Sequence, residues 1–243
     1  MTSNGPKYPF DEVARPVCFA HDDPIYSIWA KGSSFLCTSA RNFYWVTAAH
    51  VVDNHGVNAA SVRVFPSDQA TISLPFDEQY RIKSNGSADD YKDLLILRIN
   101  DDEFHAHCDT PLVGQDIECG FLPAEVLTQG CELWIVGYAA ENNYIDYDDA
   151  KVHHTRTVMR AIYQGDNHFD FCHVAKIESS IVLSSFDGLS GSPVFYFMTA
   201  RKGGNEIQEA VLVGMLLRGG AESDLVHFVS AGVIRRAIEL TIA

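Results

Sequence analysis

Basic residues are scarce in this chain: 18 Lys and Arg stand against 32 Asp and Glu, a net charge of −14 over 243 residues. A field of that sign repels phosphate backbones and anionic lipid surfaces, so neither nucleic acid nor membrane is expected as a partner. No apolar run approaches the ~18 residues that a membrane-spanning helix needs. The segment Met1 to Ala20 holds Lys7, Asp11, Glu12 and three prolines. It lacks the apolar stretch of a secretory signal, so either the protein stays in the cytosol or a leader has been removed, and a cytoplasmic location is the expectation. Gly219-Gly220 lacks the strand–loop–helix setting and the lysine of a phosphate cradle. Six cysteines are present, an even count that permits a disulfide framework, but a chain of this length folds without one.

Hydrophobic residues make up 47% and charged residues 21%, ordinary for a globular protein. Short β-prone runs separated by turn residues dominate. They cover Ile25 to Ala30, Ser34 to Ser39, Phe43 to Thr47, Ser61 to Phe65 and Ala70 to Leu74. Residues 100–129 read as a long connection. A second series follows at Cys131 to Tyr138, Thr157 to Tyr163, Phe171 to Ile177, Val194 to Met198, Ala210 to Leu217 and Leu225 to Ser230. Runs of this length and spacing predict an all-β fold, barrel or sandwich. The ending differs: Ile234, Ala237 and Ile238 recur at helical spacing and predict a C-terminal helix.

Three stretches carry chemistry. In Asp187-Gly188-Leu189-Ser190-Gly191-Ser192-Pro193 two glycines bracket a serine, so a tight loop can present a hydroxyl beside backbone N–H groups. Upstream, Phe43 to Val46 leads into Thr47-Ala48-Ala49-His50, and Asp93 opens the aliphatic run Leu94 to Ile99. Each has an ordinary reading by itself: a turn, a core histidine, a strand-start aspartate. Together they stand in the order His, Asp, Ser that one class of serine hydrolases uses.

These blocks resemble the signatures of the chymotrypsin/trypsin-fold serine peptidases, and Ser190-Gly191-Ser192-Pro193-Val194 is closest in style to bacterial and glutamyl-endopeptidase-like members. The resemblance spans residues 30 to 240. It implies two six-stranded antiparallel β-barrels with the active site between them and a C-terminal helix on the second. The corresponding division is an arm over 1–15, a first barrel over 16–120 with His50 and Asp93, and a second over 121–243 with Ser190. It further implies Ser190 as nucleophile, His50 as general base and acid, Asp93 as orienting carboxylate, and the N–H groups of Gly188 and Ser190 as oxyanion-hole donors. Asp89 and Asp90 compete with Asp93 but follow a turn-like Asn85-Gly86-Ser87.

Departures from the family pattern carry information. Cysteines expected after the histidine and before the serine are replaced by Val51 and Phe186, so all six thiols are expected free and the compartment reducing. The aspartate that would pair with a freed amino terminus in trypsin-like zymogens is Leu189, so the oxyanion loop must be ordered by other contacts. Pocket residues implied by the resemblance are Ser184 and Ser185 at the floor and Leu216-Leu217-Arg218-Gly219 along one wall, with Val226 and His227 on another. A floor without a carboxylate suits small or medium uncharged side chains at the cleaved position. An acidic preference competes if Arg218 or His227 turns inward.

Other readings are weaker. An α/β-hydrolase elbow requires a catalytic histidine after the serine, and only His227 lies there without βαβ alternation. His105-Ala106-His107-Cys108 would place alternate ligands on one side of a strand, but no second cluster completes a zinc site. Asp146, Asp148 and Asp149 read as a solvated loop. No metal and no cofactor is expected. The reading is a serine endopeptidase acting on a protein or peptide substrate, with narrow or partner-regulated specificity; the alternative is a trypsin-fold binding module with little activity.

Overall fold

The structure is a computed structural model, and it describes residues 12–22, 27–54, 56, 59–67, 70, 72–82, 90–109, 111–148, 151–167, 172–178, 183–202 and 205–242. The first half contains β1 (Ala14–Ala20), β2 (Ile28–Ser39), β3 (Asn42–Thr47), the short helix α1 (Ala49–Asp53), β4 (Val62–Arg63), β5 (Phe76–Arg81), β6 (Leu95–Ile99), helix α2 (Asp101–His107) and β7 (Gln115–Asp116). The second contains β8 (Glu132–Gly137), β9 (Tyr144–Asp146), β10 (Lys151–His153), β11 (Thr157–Asn167), β12 (Cys172–Ile177), β13 (Pro193–Lys202), β14 (Asn205–Gly220), β15 (Leu225–Ser230) and helix α3 (Ala231–Ile242).

Alternation drives the second half. Along β11, Thr157, Met159, Ala161 and Tyr163 are buried, while Val158, Arg160 and Ile162 between them are only partly covered. A strand with one apolar face must bury it, and six such strands close on themselves in the order β11-β12-β15-β14-β13-β8. Leu133, Ile135, Ala175, Val213 and Phe228 fill the interior.

The first half differs from the closed barrel expected over 16–120. Among the described residues it is an open sheet, β4-β1-β2-β3-β6-β5, with β7 paired in parallel on β2. The edge strand β4 is two residues long, and Pro66 and Pro75 lack the N–H groups that would extend a ladder between β4 and β5. A backbone bond from Leu74 N–H to Val64 O, 2.7 Å, bridges the two edges just outside the strands.

Three local expectations change. Ile28–Ala30 and Ser34–Ser39 join into the single strand β2, because Lys31-Gly32 is accommodated as a bulge opposite β1 rather than as a turn, and Ile25 and Tyr26 lie outside the described residues. The 100–129 connection contains α2, whose N-terminus is capped by Asn100 Oδ1 accepting from Glu103 N–H at 3.1 Å. Residues 13–15, expected in an arm, are buried, and Ala14 begins β1.

Helix α3 adds a contact the sequence did not suggest. Ala231, Ile234 and Ile238 are buried in the core that contains Leu36, Trp45 and Leu95, so the helix packs across to the first sheet as well as lying on β14 and β15. That shared core also takes Val136, Phe195, Met215 and Val229 from the second half. The cleft between the halves is thereby held by continuous apolar packing. No helix among the described residues is long and apolar enough to cross a membrane.

Candidate active site

Strand register brings the first two residues together. Thr47, at the end of β3, pairs with Leu95 at the start of β6. The chain three residues on from Thr47 therefore lies beside the chain two residues before Leu95. His50 sits on α1, whose Ala49, Val51 and Val52 are buried, leaving the imidazole on the open side. Its Nδ1 lies 2.5 Å from Asp93 Oδ2, and its backbone N–H donates to Asp93 Oδ1 at 2.8 Å. Ala49 N–H donates to Asp93 O at 3.3 Å. Both carboxylate oxygens are thus used, and the ring is fixed in orientation while its side chain remains 35% exposed. Asp89 and the side chain of Asp90 fall outside the described residues.

Ser190 lies across the cleft. The cleft encloses about 730 Å³ and is lined by Lys31, His50 and Asn54 from the first half and by Ser184–Gly188, Ser190 and 217–223 from the second. The Ser190 hydroxyl donates to Leu217 O at 2.9 Å, so in this resting arrangement it is turned to that carbonyl and not to His50.

The loop carrying Ser190 has a defined shape. Gly188 and Gly191 adopt φ of +86° and +89°, the left-handed region that favours glycine. Space requires glycine too: a Cβ on Gly191 would lie 1.9 Å from Ser33 O, and one on Gly188 would lie 2.5 Å from Tyr138 O. Within the loop, Leu189 N–H donates to Phe186 O at 3.1 Å, Gly191 N–H to Leu216 O at 2.8 Å and Ser192 N–H to Leu189 O at 3.0 Å. The N–H groups of Gly188 and Ser190 have no partner among the described residues. The Asp187 carbonyl accepts from Ala140 N–H at 2.8 Å. A trans peptide points its N–H opposite to its C=O, so this bond directs the Gly188 N–H away from Ala140. Two unpaired donors beside a serine hydroxyl suit a developing oxyanion.

The expected pocket residues separate. Ser184, Ser185, Leu217, Arg218 and Gly219 line the cleft. Leu216 does not: it is buried in the interior of the closed barrel, because successive residues of a strand face opposite ways. Val226 is also buried in that interior, and His227 is not among the lining residues. Nor is Ser184 a bare dipole at the floor. Its N–H donates to Glu141 Oε2 at 3.0 Å and its hydroxyl donates to the same oxygen. Glu141 was invisible in the sequence, since it sits in a short turn after β8 with no motif around it. A Cβ at Gly219 would meet Phe186 Cδ2 at 2.7 Å and Val226 Cγ1 at 2.8 Å, so these two side chains fill the space beneath that wall.

Candidates for other chemistry do not assemble. His105 and His107 lie on helix α2, not on a strand, and two residues apart on a helix they point in different directions. Among the described residues no group of three or more His, Cys, Asp or Glu could hold a metal. Asp146 Oδ1 accepts from Asp148 N–H at 3.1 Å within its own turn, and Asp149 lies outside the described residues. All six cysteines are free, and none lines the cleft. Burial pushes the Cys18 thiol up to about 12 and raises Cys37 further, so neither is a nucleophile.

No protein-family profile matches this sequence, and no curated protein does either. Solved structures are similar in fold. One is the crystal structure of the scabies mite inactivated protease paralogue S-I1, which aligns with a TM-score of 0.57 over 96% of this chain and 95% of that one, at 14% identity. The fold is trypsin-like. At that identity the likeness extends to the fold alone, and it does not single out a glutamyl-endopeptidase-like branch.

Proposed function

We propose that the chain is a serine endopeptidase in which Ser190, His50 and Asp93 form an acyl-transfer triad, with Gly188 N–H and Ser190 N–H as oxyanion donors. One observation carries the reading: the Ser190 loop pairs its other N–H groups and leaves these two unpartnered, in the same cleft as an imidazole fixed by Asp93. In the reaction the Ser190 hydroxyl leaves Leu217 O and turns to His50 Nε2. It attacks the scissile carbonyl as His50 takes its proton, and the tetrahedral oxygen is held by the two N–H groups. His50 then returns that proton to the leaving amine, and a water molecule repeats the sequence to release the acyl group. The first sheet, with its edges bridged at Val64 and Leu74, serves as the first barrel of the pair. A protein or peptide substrate, a reducing cytoplasmic setting and gating by a partner belong to the same reading.

A second reading has two observations in its favour. The Ser190 hydroxyl rests on Leu217 O, as it would in a binding module with an idle site, and the similar scabies mite protein is named an inactivated protease paralogue. The size of that bond supports the first reading. A neutral hydrogen bond of this kind is worth about 1 kcal/mol net, so turning the hydroxyl slows the reaction by about tenfold at most.

A fluorophosphonate probe followed by intact-mass measurement tests the choice. The wild type is expected to gain one adduct on Ser190, and Ser190→Ala and His50→Ala to gain none. A folded wild type that takes no label and hydrolyses no member of a peptide library would overturn the peptidase reading.

A further inference from the structure

We infer that Ser33 is a positioning residue: its hydroxyl clamps the oxyanion loop in its donating shape. The inference rests on reading Gly188 and Ser190 as the oxyanion donors, but not on turnover. Ser33 lies on β2 and is fully buried. Its Oγ donates to Gly188 O at 2.7 Å and accepts from Tyr138 N–H at 2.8 Å. Its N–H donates to Ser190 O at 2.9 Å, and its own carbonyl accepts from Thr47 Oγ1 at 2.7 Å. One residue of the first sheet is thereby bonded to the nucleophile loop, to the segment leaving β8 and to the strand that leads to His50.

The Gly188 N–H shares its peptide with Asp187 O and the Ser190 N–H with Leu189 O, and the Ser33 bonds hold the peptide that follows each of these donor residues. Gly188 and Ser190 supply the free N–H groups, and the carbonyls of these same two residues end on Ser33. Gly188 has no Cβ to restrict it and sits at φ +86°, so its shape is set by bonds at either side. Ala140 N–H fixes the peptide before it, and the Ser33 hydroxyl fixes the peptide after it. The position next to the nucleophile is Leu189, fully buried and apolar, so no charge there orders the loop. Without the hydroxyl, Gly188 O would be a buried acceptor with no donor, and rotation of its peptide would relieve that at the expense of the loop's shape. A Cβ at Gly137 would come 2.0 Å from Ser192 Oγ and 2.9 Å from Ser33 Oγ, so glycine there leaves room for both hydroxyls.

Ser34 provides the control. It is equally buried, one residue along the same strand, and its hydroxyl donates to a backbone carbonyl, Arg15 O, at 2.9 Å. Ser33→Ala and Ser34→Ala therefore remove the same kind of bond on opposite faces of β2. Amide hydrogen exchange of the full chain should rise at least tenfold across residues 186–192 in Ser33→Ala and stay at the wild-type rate there in Ser34→Ala, at similar losses of thermal midpoint. On a peptide substrate, Ser33→Ala should lower kcat about 10- to 100-fold with KM little changed, approaching the loss of an oxyanion donor. Ser33→Cys keeps the volume with a weaker donor; it should fall between, and it carries the comparison if Ser33→Ala does not fold. Wild-type exchange at 186–192 in the Ser33 variants would overturn the inference. If the loop responds as expected but the wild type takes no fluorophosphonate, the clamp stands and the peptidase reading falls.

Discussion

Replacing Asp93 by asparagine separates orientation from mere contact. Asp93 receives two donors: His50 backbone N–H on Oδ1 at 2.8 Å and the ring Nδ1 on Oδ2 at 2.5 Å. Asparagine has one oxygen and one NH₂ group in the same place. The backbone N–H can only donate, so the oxygen must stay with it. The reverse orientation sets donor against donor and leaves the N–H unpaired, at about 1–3 kcal/mol. The NH₂ group then faces Nδ1, which has to accept, and the ring proton moves to Nε2. A histidine protonated at Nε2 cannot take the serine proton, and kcat should fall by up to about 10⁴-fold, roughly 5.4 kcal/mol of barrier. Both hydrogen bonds survive in number, so folding stability should change by less than about 1 kcal/mol, or under ~4 °C in Tm for a chain of this size. Initial rates on a fluorogenic peptide, with calorimetry of the same sample, measure both. Turnover within about tenfold of wild type, at unchanged Tm, would show that Asp93 does not set the tautomer and would remove it from the triad.

Two further outcomes are expected. The His173 imidazole, with Nε2 3.8 Å away, and the Ser230 hydroxyl, donating at 2.7 Å, hold the Glu125 carboxyl down at about 2 from an ordinary 4.5. A carboxyl depressed on folding stabilises above about pH 4.5 and loses that contribution as pH falls toward 2. With a side chain 54% exposed the effect is screened to about 1 kcal/mol. Glu125→Gln should therefore lower Tm by about 2–4 °C at pH 6 and by progressively less in acid; a difference independent of pH would refute the assignment. At the cleaved position, the Glu141 carboxylate on Ser184 disfavours acidic side chains, and Phe186 with Val226 leaves no depth for long ones, so small or medium uncharged residues should lead in kcat/KM across a peptide library. A tenfold lead for Lys or Arg would show that the pocket is deeper than Phe186 allows, and one for Glu would show that Glu141 does not govern it.

What the sequence displayed were features whose cause is local. The alternation along Thr157–Tyr163 follows from one buried face, and the helical spacing of Ile234 and Ile238 from one apolar stripe; both forms are present. His50 and Asp93 were legible because each adjoins an apolar run and, with Ser190, they stand in the His, Asp, Ser order. Features with distant causes were not legible. The turn between β2 and β3 is made by Ala40 and Arg41, at φ of 48° and 70°, without the glycine or asparagine that usually marks such a turn. It is held by Glu118, whose Oε1 accepts from Ala40 N–H at 2.7 Å from far along the chain. Leu216 was misplaced for a different reason: periodicity says that Leu216 and Leu217 face opposite ways but not which one faces the cleft. Glu141 and Ser33 have no motif at all, since their partners lie in other segments of the chain.

The same distinction bears on how the site would work. The demanding part of the arrangement is the loop, with two left-handed glycines, and restraints on it come from elements far away in sequence: Ala140 holds one of its carbonyls, Ser33 two, and Leu216 O accepts from Gly191 N–H. These restraints are part of the folded core and are present before any substrate arrives, as preorganised donors must be if they are to act without reorganising in the transition state. The part left unset is a single hydroxyl, resting on Leu217 O by one hydrogen bond. An occupant of the cleft that donates its own N–H to Leu217 O would displace that hydroxyl and free it to turn to His50, which lines the same cleft. On this reading the fold fixes what is slow to build and leaves to the substrate a rotation worth about 1 kcal/mol.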